Sequence, residues 1–258
     1  MQNTELCPRY QVDLIVDGRS HLYDVTQEHE TARYPSVTGF LGIIAKPALV
    51  PWAKREALSV VQDELMKRLG GQNSATITLD KSWIENILRD SRRRPDQLKD
   101  AAADLGTKAH ALIDRIVRGE QVAEIPAEIE APVKAFQQWW AKSGIELVLG
   151  DTRVASRQYG YGGSLDALGR RNGKLVLIDW KTSTAIYTEY ALQAAAYAQA
   201  FKETYGVACS EAFIVRFGKK LPIEFEVKEL ADLDLSFQAF LAAKTLKESL
   251  EKPHFLPW

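Results

Sequence analysis

The chain has little cysteine and no long hydrophobic run. It contains two cysteines, Cys7 and Cys209, among 258 residues, and they form no Cys-x-x-Cys motif. This count excludes a zinc site or an iron–sulfur cluster held by four cysteines of this chain. No apolar run approaches the ~20 residues needed to cross a bilayer, and residues 1–8 lack the basic and apolar regions of a signal peptide. We therefore expect a cytoplasmic protein without an iron–sulfur cluster.

An excess of charge of either sign is also absent. The 33 lysines and arginines nearly balance the 34 acidic residues, so the net charge is −1. No global field therefore draws the protein to nucleic acid. The densest local patch is Arg92, Arg93 and Arg94, although a basic run is more often a solvated surface than a binding site.

One predicted hairpin carries two aspartates on opposite arms. Asn172-Gly173 is a strong two-residue turn signal, and it places Arg171 opposite Lys174. In that register the numbers of paired residues sum to a constant, so Asp166 lies opposite Asp179 on one face. Their Cβ atoms would be about 5 Å apart. Facing carboxylates repel unless one is protonated or a cation lies between them.

Two interpretations of this hairpin are open. In the first, it has a solvated polar face on which Lys181 neutralises one aspartate. In the second, it forms a metal site. Residues 174–180 are apolar on both faces, which is typical of a central strand, so charges at its end would be partly buried. Buried charges usually serve ligation or catalysis, and we favour the metal site.

The pattern of elements predicts an α/β protein. Strands over residues 10–16 and 21–25 form a first hairpin, and helices dominate the next hundred residues. We expect one of these helices to end at Arg89 and another to begin after Pro95.

The later part of the chain predicts strands at residues 145–149 and 152–158, then the aspartate hairpin, and strands at 211–217 and 223–227. An alanine-rich helix over residues 190–205 would cross over to bring the following strand into the same sheet. We expect one domain spanning residues 1–258, with a helical subregion at 47–95 and a catalytic core at 106–227.

Two helical pairs add candidate site residues. His110 and Asp114 are four positions apart, so a metal-binding imidazole could be oriented by a carboxylate one turn away. Gln193 and Tyr197 have the same spacing on the alanine-rich helix. Taken alone, each pair is more often structural, with Tyr197 in the core and His110 at a cap or surface.

Four short motifs occur in one order along the chain. They are Gly-Thr-x-x-His at 106–110, Gly-x-x-Asp at 163–166, Asp-x-Lys at 179–181 and Gln-x-x-x-Tyr at 193–197. This set resembles the RecB-like exonuclease branch of the PD-(D/E)XK nuclease superfamily. It is similar to stand-alone phage or prophage members, to CRISPR-adaptation nucleases and to the mitochondrial genome maintenance exonuclease.

The resemblance implies a restriction-endonuclease-like fold, a mixed central sheet flanked by helices with an N-terminal helical insertion. It implies metal binding by His110, Asp166, Asp179 and the backbone carbonyl of Trp180, and catalysis by Lys181 with the two aspartates. Gln193 and Tyr197 would position the nucleic acid strand. The family often has glutamate where Asp114 stands, which leaves open whether Asp114 orients the metal-binding His110.

These observations predict a Mg²⁺- or Mn²⁺-dependent DNA nuclease, because hard oxygen ligands select these ions. We favour an exonuclease acting on single strands or DNA ends, with Arg92, Arg93 and Arg94 lining a cleft that the 47–95 subregion covers. The resemblance places such enzymes in DNA repair, recombination or phage biology. One alternative is a structure-specific or restriction-like endonuclease of the same fold. Another is a catalytically silent nucleic-acid-binding or assembly protein.

Overall fold

The computed structural model describes residues 6–18, 20–44, 46–70, 79–220 and 222–252. Its strands are β1 (Gln11–Asp17), β2 (Ser20–Gln27), β3 (Glu30–Pro35), β4 (Glu146–Ser156), β5 (Tyr161–Arg171), β6 (Lys174–Lys181), β7 (Glu211–Phe217) and β8 (Phe225–Glu229). Its α-helices are α1 (Val37–Leu41), α2 (Leu49–Leu69), α3 (Lys81–Val117), α4 (Glu130–Ser143), α5 (Thr188–Tyr205) and α6 (Leu233–Leu250). Among the described helices, none combines the length and apolar character needed to cross a bilayer.

The larger sheet has five strands in the order β4-β5-β6-β7-β8. β6 and β7 are parallel, while the other neighbouring pairs are antiparallel. α5 connects the two parallel strands and is therefore the crossover helix that the sequence predicts. The predicted α/β class with a mixed central sheet is confirmed.

The Asn-Gly turn sets the register of the β5–β6 hairpin. Asn172 and Gly173 have φ angles of 50° and 79°, as a type I′ turn requires. The ladder runs from Arg171 opposite Lys174 to Ala167 opposite Ile178, in the predicted register. Asp166 and Asp179 are the next residue on each strand, so they lie where the recorded ladder ends.

Two apolar layers cover the larger sheet. α1, α5 and α6 contribute to a core that also contains Leu165, Leu177 and Ile214 of the sheet. α4 contributes Phe136, Trp139 and Trp140, whose rings pack on Trp180 at centroid distances of 5.5, 5.6 and 6.3 Å. Leu177 and Trp180 thus face different layers, so the end of β6 is held between helices.

The smaller sheet, β1-β2-β3, is antiparallel. The predicted first hairpin is present as β1 and β2. β3 was not predicted from the sequence. The hydroxyl of Tyr10 donates to the Ala155 carbonyl at 2.6 Å. A Cβ at Gly162 would lie 2.4 Å from the Tyr23 ring, so glycine allows the two sheets to approach closely.

The chain divides into two compact units where the sequence predicts a single domain. One unit comprises residues 1–44 and 108–258, and the other comprises residues 45–107. The predicted helical subregion, residues 47–95, falls within the second unit. Within that unit, α2 runs to Leu69 and Gly70 follows in the left-handed conformation. That this subregion covers a cleft stays a prediction.

The predicted helix break before Pro95 is wrong. α3 is continuous over 37 residues with Pro95 inside it, although an internal proline costs about 3 kcal/mol through a lost hydrogen bond and a backbone clash. Ile87, Ser91 and Pro95 are all buried and follow one another at spacings of four residues. Burial of these three side chains offsets part of the free-energy cost of placing Pro95 inside the helix.

The two predicted strands at 145–149 and 152–158 are also one strand, β4. Its register shifts between Leu147 and Leu149, and Asp151 has a positive φ of 38°. Gly150 and Asp151, the gap between the two predicted strands, are therefore part of an irregularity within β4. The last strand, predicted at residues 223–227, is Phe225–Glu229.

We expect Phe136→Ala to lower the free energy of unfolding by about 3–5 kcal/mol, because it removes a large core side chain. Phe136 is fully buried and its ring also packs on Phe217 at a centroid distance of 5.7 Å. Urea denaturation measures the loss. Leu235→Ala, at a position that is 63% exposed, is the control and should change stability by less than about 1 kcal/mol.

Candidate active site

Asp179 is the most deeply buried charge of the site. Its side chain on β6 is 2% exposed, and Oδ2 contacts the ammonium group of Lys181. Among the described residues, that oxygen has no partner with hydrogen-bond geometry. Burial raises the pKa of the Asp179 carboxyl to about 6, even though Lys181 opposes the shift. An ionised Asp179 therefore costs folding energy in this environment.

Asp166, on β5, is held by two hydrogen bonds. Its Oδ2 accepts from the backbone N–H of Trp180 at 2.7 Å, and its Oδ1 lies 3.2 Å from Nδ1 of His110. The carboxylate thus binds a backbone amide of β6 just beyond Ala167 and Ile178, the last pair of the β5–β6 ladder. Burial raises the pKa of Asp166, but His110, Lys181 and the Trp180 amide together lower it below its usual value.

His110 reaches this carboxylate from α3. Its side chain is 32% exposed and comes from 56 positions earlier in the chain. Burial lowers the pKa of the imidazole, but the charge of Asp166 and its hydrogen bond raise it more, so the net shift is upward. The predicted proximity of His110 to Asp166 is thus present in the structure.

Lys181 lies at the end of β6 with 15% of its side chain exposed. Burial lowers the pKa of its ammonium group, but Asp179 and Asp166 raise it more, so the lysine is charged at neutral pH. Its Nζ also lies 4.8 Å from the centroid of the Tyr190 ring, a cation–π contact. Lys181 therefore places a positive charge beside the two aspartates, and His110 adds a second one when its imidazole is protonated.

Tyr197 and Gln193 form a wall beside the hairpin. Gln193 Nε2 donates to the hydroxyl of Tyr197 at 2.9 Å. A Cβ at Gly163 would lie 2.2 Å from Cε1 of Tyr197, so only glycine admits this ring. Burial raises the pKa of Tyr197 well above its ordinary value, and the charge of Asp179 adds to the shift. Tyr197 is 5% exposed, so it stays a neutral phenol within the core.

Four residues that the sequence assigns to the site have other positions or partners in the structure. Asp114 accepts a hydrogen bond from Nε of Arg118 at 3.1 Å. His110, which Asp114 was expected to orient, pairs with Asp166. Arg92, Arg93 and Arg94 are exposed on the part of α3 that belongs to the second compact unit. That Asp114 supports the metal ligands and that the three arginines bind nucleic acid stay predictions.

Tyr190 and Tyr23 also contact the site, and neither was among the residues predicted from the sequence. Tyr190 precedes Gln193 by three positions and so shares its side of α5, a signal that helical spacing could have supplied. Tyr23 lies on β2, and its hydroxyl is 3.2 Å from Oγ of Ser164, two residues before Asp166. No local pattern links residues 141 positions apart, so only the fold reveals this contact.

The donor set has the chemistry of a divalent-cation site. It offers an imidazole and two carboxylates, and Oδ2 of Asp179 has no partner with hydrogen-bond geometry among the described residues. Hard oxygen donors suit Mg²⁺ and Mn²⁺. Yet within the described ranges no three His, Cys, Asp or Glu side chains are already arranged to hold a metal ion. The ammonium group of Lys181 instead contacts Asp179. Cation binding to Asp179 would therefore require Lys181 to withdraw from that oxygen.

Comparison with known proteins adds little. Neither a family model nor a curated protein sequence matches this chain. The solved structure of SSO0001 aligns with 13% identity over 78% of this chain and 88% of its own, with a TM-score of 0.37. An alkaline exonuclease, LHK-Exo, from Laribacter hongkongensis aligns with 18% identity over 62% and 85%, with a TM-score of 0.29. These likenesses are too weak to assign an activity to this chain.

We expect the His110 imidazole of the metal-free protein to titrate above its ordinary value of 6.5. In Asp166→Asn the burial remains while the opposing charge is lost, so the pKa should fall below that value. The charged pair accordingly stabilises the fold while Asp166 is ionised and His110 is protonated. Its contribution is lost as pH rises through the folded pKa of His110, and also as pH falls through the folded pKa of Asp166. NMR titration of the histidine resonances, with His110→Gln for assignment, measures both values. An unchanged pKa in Asp166→Asn would contradict the pairing.

Proposed function

We propose that this protein is a metal-dependent nuclease that hydrolyses phosphodiester bonds of DNA. The observation that carries the proposal is the buried carboxylate of Asp179. Its Oδ2 lies against the ammonium group of Lys181 and has no partner with hydrogen-bond geometry in the part of the chain that the structure describes. Such an arrangement costs stability, since burial opposes ionisation of the carboxyl. A site that retains two aspartates, a histidine and a lysine at the end of a strand ladder is typical of catalysis.

In this proposal, His110, Asp166, Asp179 and the Trp180 carbonyl would hold a Mg²⁺ or Mn²⁺ ion. The bound ion would supply a water of lowered pKa and neutralise charge on the phosphate oxygens. Asp166 is fixed in place by the Trp180 amide and His110. Its carboxylate therefore needs little reorganisation to act as a ligand.

Lys181 would act on the reacting groups. Its Nζ carries three protons at neutral pH, because Asp179 and Asp166 outweigh the effect of burial on its pKa. Released from Asp179, the ammonium group could orient the attacking water or donate to a phosphate oxygen as negative charge develops there. Deprotonated after cation binding, the same nitrogen could accept the proton of that water.

Exonuclease action on single strands or DNA ends is our preferred form of the activity. This preference rests on the resemblance of the four ordered motifs to RecB-like exonucleases. We propose the cytoplasm as the location of the protein. An endonuclease of the same fold differs in one outcome, because it would cut a covalently closed single-stranded circle. Parallel assays with linear DNA, circular DNA and linear RNA separate these possibilities.

We expect Asp179→Ala and Lys181→Ala to reduce hydrolysis of end-labelled single-stranded DNA by at least about 100-fold, since each removes a group of the reacting site. The matched control is Lys174→Ala on the same strand, where the lysine is 61% exposed and pairs with Glu211 at 3.0 Å. This control should retain activity. Full activity in either site variant would refute the assignment, while DNA binding without cleavage by wild type would favour the silent binding protein.

We also expect Mn²⁺ to raise the unfolding temperature of the wild type, because a ligand that binds only the folded state stabilises it by about 2.7 kcal/mol at a hundredfold excess over Kd. The shift should grow as pH rises, since protons compete for His110 and for Asp179, whose pKa is about 6. Calorimetry at about pH 5 and about pH 8 tests this direction.

Asp166→Ala and Asp179→Ala should lose the Mn²⁺-induced shift. The control is Asp24→Asn, because Asp24 lies on the smaller sheet and its carboxylate pairs with Arg33 at 2.6 Å. That variant should keep the shift. Equal shifts in all four proteins would place the cation elsewhere.

A further inference from the structure

A pair of tyrosines continues from the lysine of the site to solvent. Tyr187 and Tyr190 lie at the start of α5, with ring centroids 5.6 Å apart and an interplanar angle of 77°. The ring of Tyr190 in turn lies under Nζ of Lys181, at 4.8 Å from its centroid. The side chains of Tyr187, Tyr190 and Lys181 thus form a continuous row that ends at Asp179.

The two rings have different environments. Tyr190 is half-buried and packs against the core that α1, α5 and α6 form with the sheet. Tyr187 is 42% exposed. A single exposed aromatic residue on a protein surface is ordinary. This one differs because its inner neighbour is anchored in the core and contacts a residue of the proposed reacting site.

The exposed ring is also held in place. The hydroxyl of Tyr187 lies 2.9 Å from Oγ1 of Thr184, within hydrogen-bond distance. The edge-to-face contact with Tyr190 restrains the ring at a second point. A ring restrained before binding loses little conformational entropy when a ligand stacks on it. These restraints favour a recognition surface over a freely rotating side chain.

We propose that Tyr187, supported by Tyr190, is a stacking platform for a nucleobase of a single-stranded substrate. Every nucleobase has a π face, so stacking of this kind tolerates any sequence. A paired base inside a duplex has both faces covered by its neighbours, whereas an unpaired base has a free face. The platform would therefore select single strands or frayed ends and bring the adjoining phosphate towards Lys181 and the aspartates.

This proposal rests on the proposed nuclease function, and it adds the residue that recognises an unpaired base of the substrate. Tyr187 is a binding residue in this role and takes no part in bond cleavage. Its effect should appear in binding to bases and be absent for a strand that has none.

The test compares binding of two fluorescent oligonucleotides of about 12 nucleotides, one of thymidines and one of abasic tetrahydrofuran residues. Fluorescence anisotropy in EDTA measures binding without hydrolysis. We expect the wild type to bind the thymidine strand more tightly. Tyr187→Ala and Tyr187→Leu should weaken its binding about 5- to 150-fold and leave abasic binding unchanged.

Variants that keep the π face supply the controls. Tyr187→Phe and Tyr187→Trp should retain most of the preference for thymidine over the abasic strand, whereas Tyr187→Leu keeps apolar area without an aromatic ring. Thermal unfolding of each variant confirms that the fold persists. Equal binding of both strands by the wild type, or equal weakening of both by Tyr187→Ala, would overturn the platform.

Cleavage is measured separately, so the two proposals can fail independently. A thymidine preference that depends on Tyr187, in a protein that cleaves no strand with Mn²⁺, would refute the nuclease function and support the platform. Cleavage that depends on Asp179, without any thymidine preference, would support the nuclease and overturn the platform.

Discussion

The rest of the site depends on the balance of charge around the largely buried carboxylates of Asp166 and Asp179. Asp179 is 2% exposed and its carboxyl group resists ionisation, so a compensating cation must lie close to it. Lys181 provides that cation from the same strand, and the His110 imidazole on α3 pairs with Asp166 and carries a second positive charge when it is protonated. Removing either partner would leave a buried charge uncompensated. The balance is costly to maintain, which is the physical reason to regard it as functional.

The sheet fixes where this balance occurs. The recorded β5–β6 ladder ends at Ala167 and Ile178, and beyond it the Asp166 carboxylate accepts the Trp180 amide. The strands therefore remain connected through a side chain at the point where the aspartates lie. Trp180 is meanwhile held by the aromatic rings of α4. The packing of α4 on Trp180 thus positions the Trp180 amide, which orients the carboxylate of Asp166.

Local signals and tertiary context disagree at identifiable places. Pro95 predicts a helix break, but it is buried in α3 together with Ile87 and Ser91. Gly150 and Asp151 separate the two strands that the sequence predicts, but pairing with β5 continues on both sides of Asp151 and makes β4 one strand. In each case a local cost of a few kcal/mol is offset by contacts that the local pattern does not contain. The β5–β6 hairpin shows the opposite case, since Asn172 and Gly173 adopt the positive φ angles that their residue types favour.

The sequence by itself determined the hairpin register, the mixed α/β class and the identity of the charged residues near the ladder end. These features depend on turn chemistry, period-two alternation and residue type, which are local properties. The family resemblance already implied that His110 lies near Asp166. Only the tertiary structure decided that His110 contacts Asp166 through Nδ1, that Tyr197 packs on Gly163 and that Tyr190 lies under Lys181. These contacts depend on how helices and strands that are distant in sequence pack together, and no short pattern in the chain encodes that geometry.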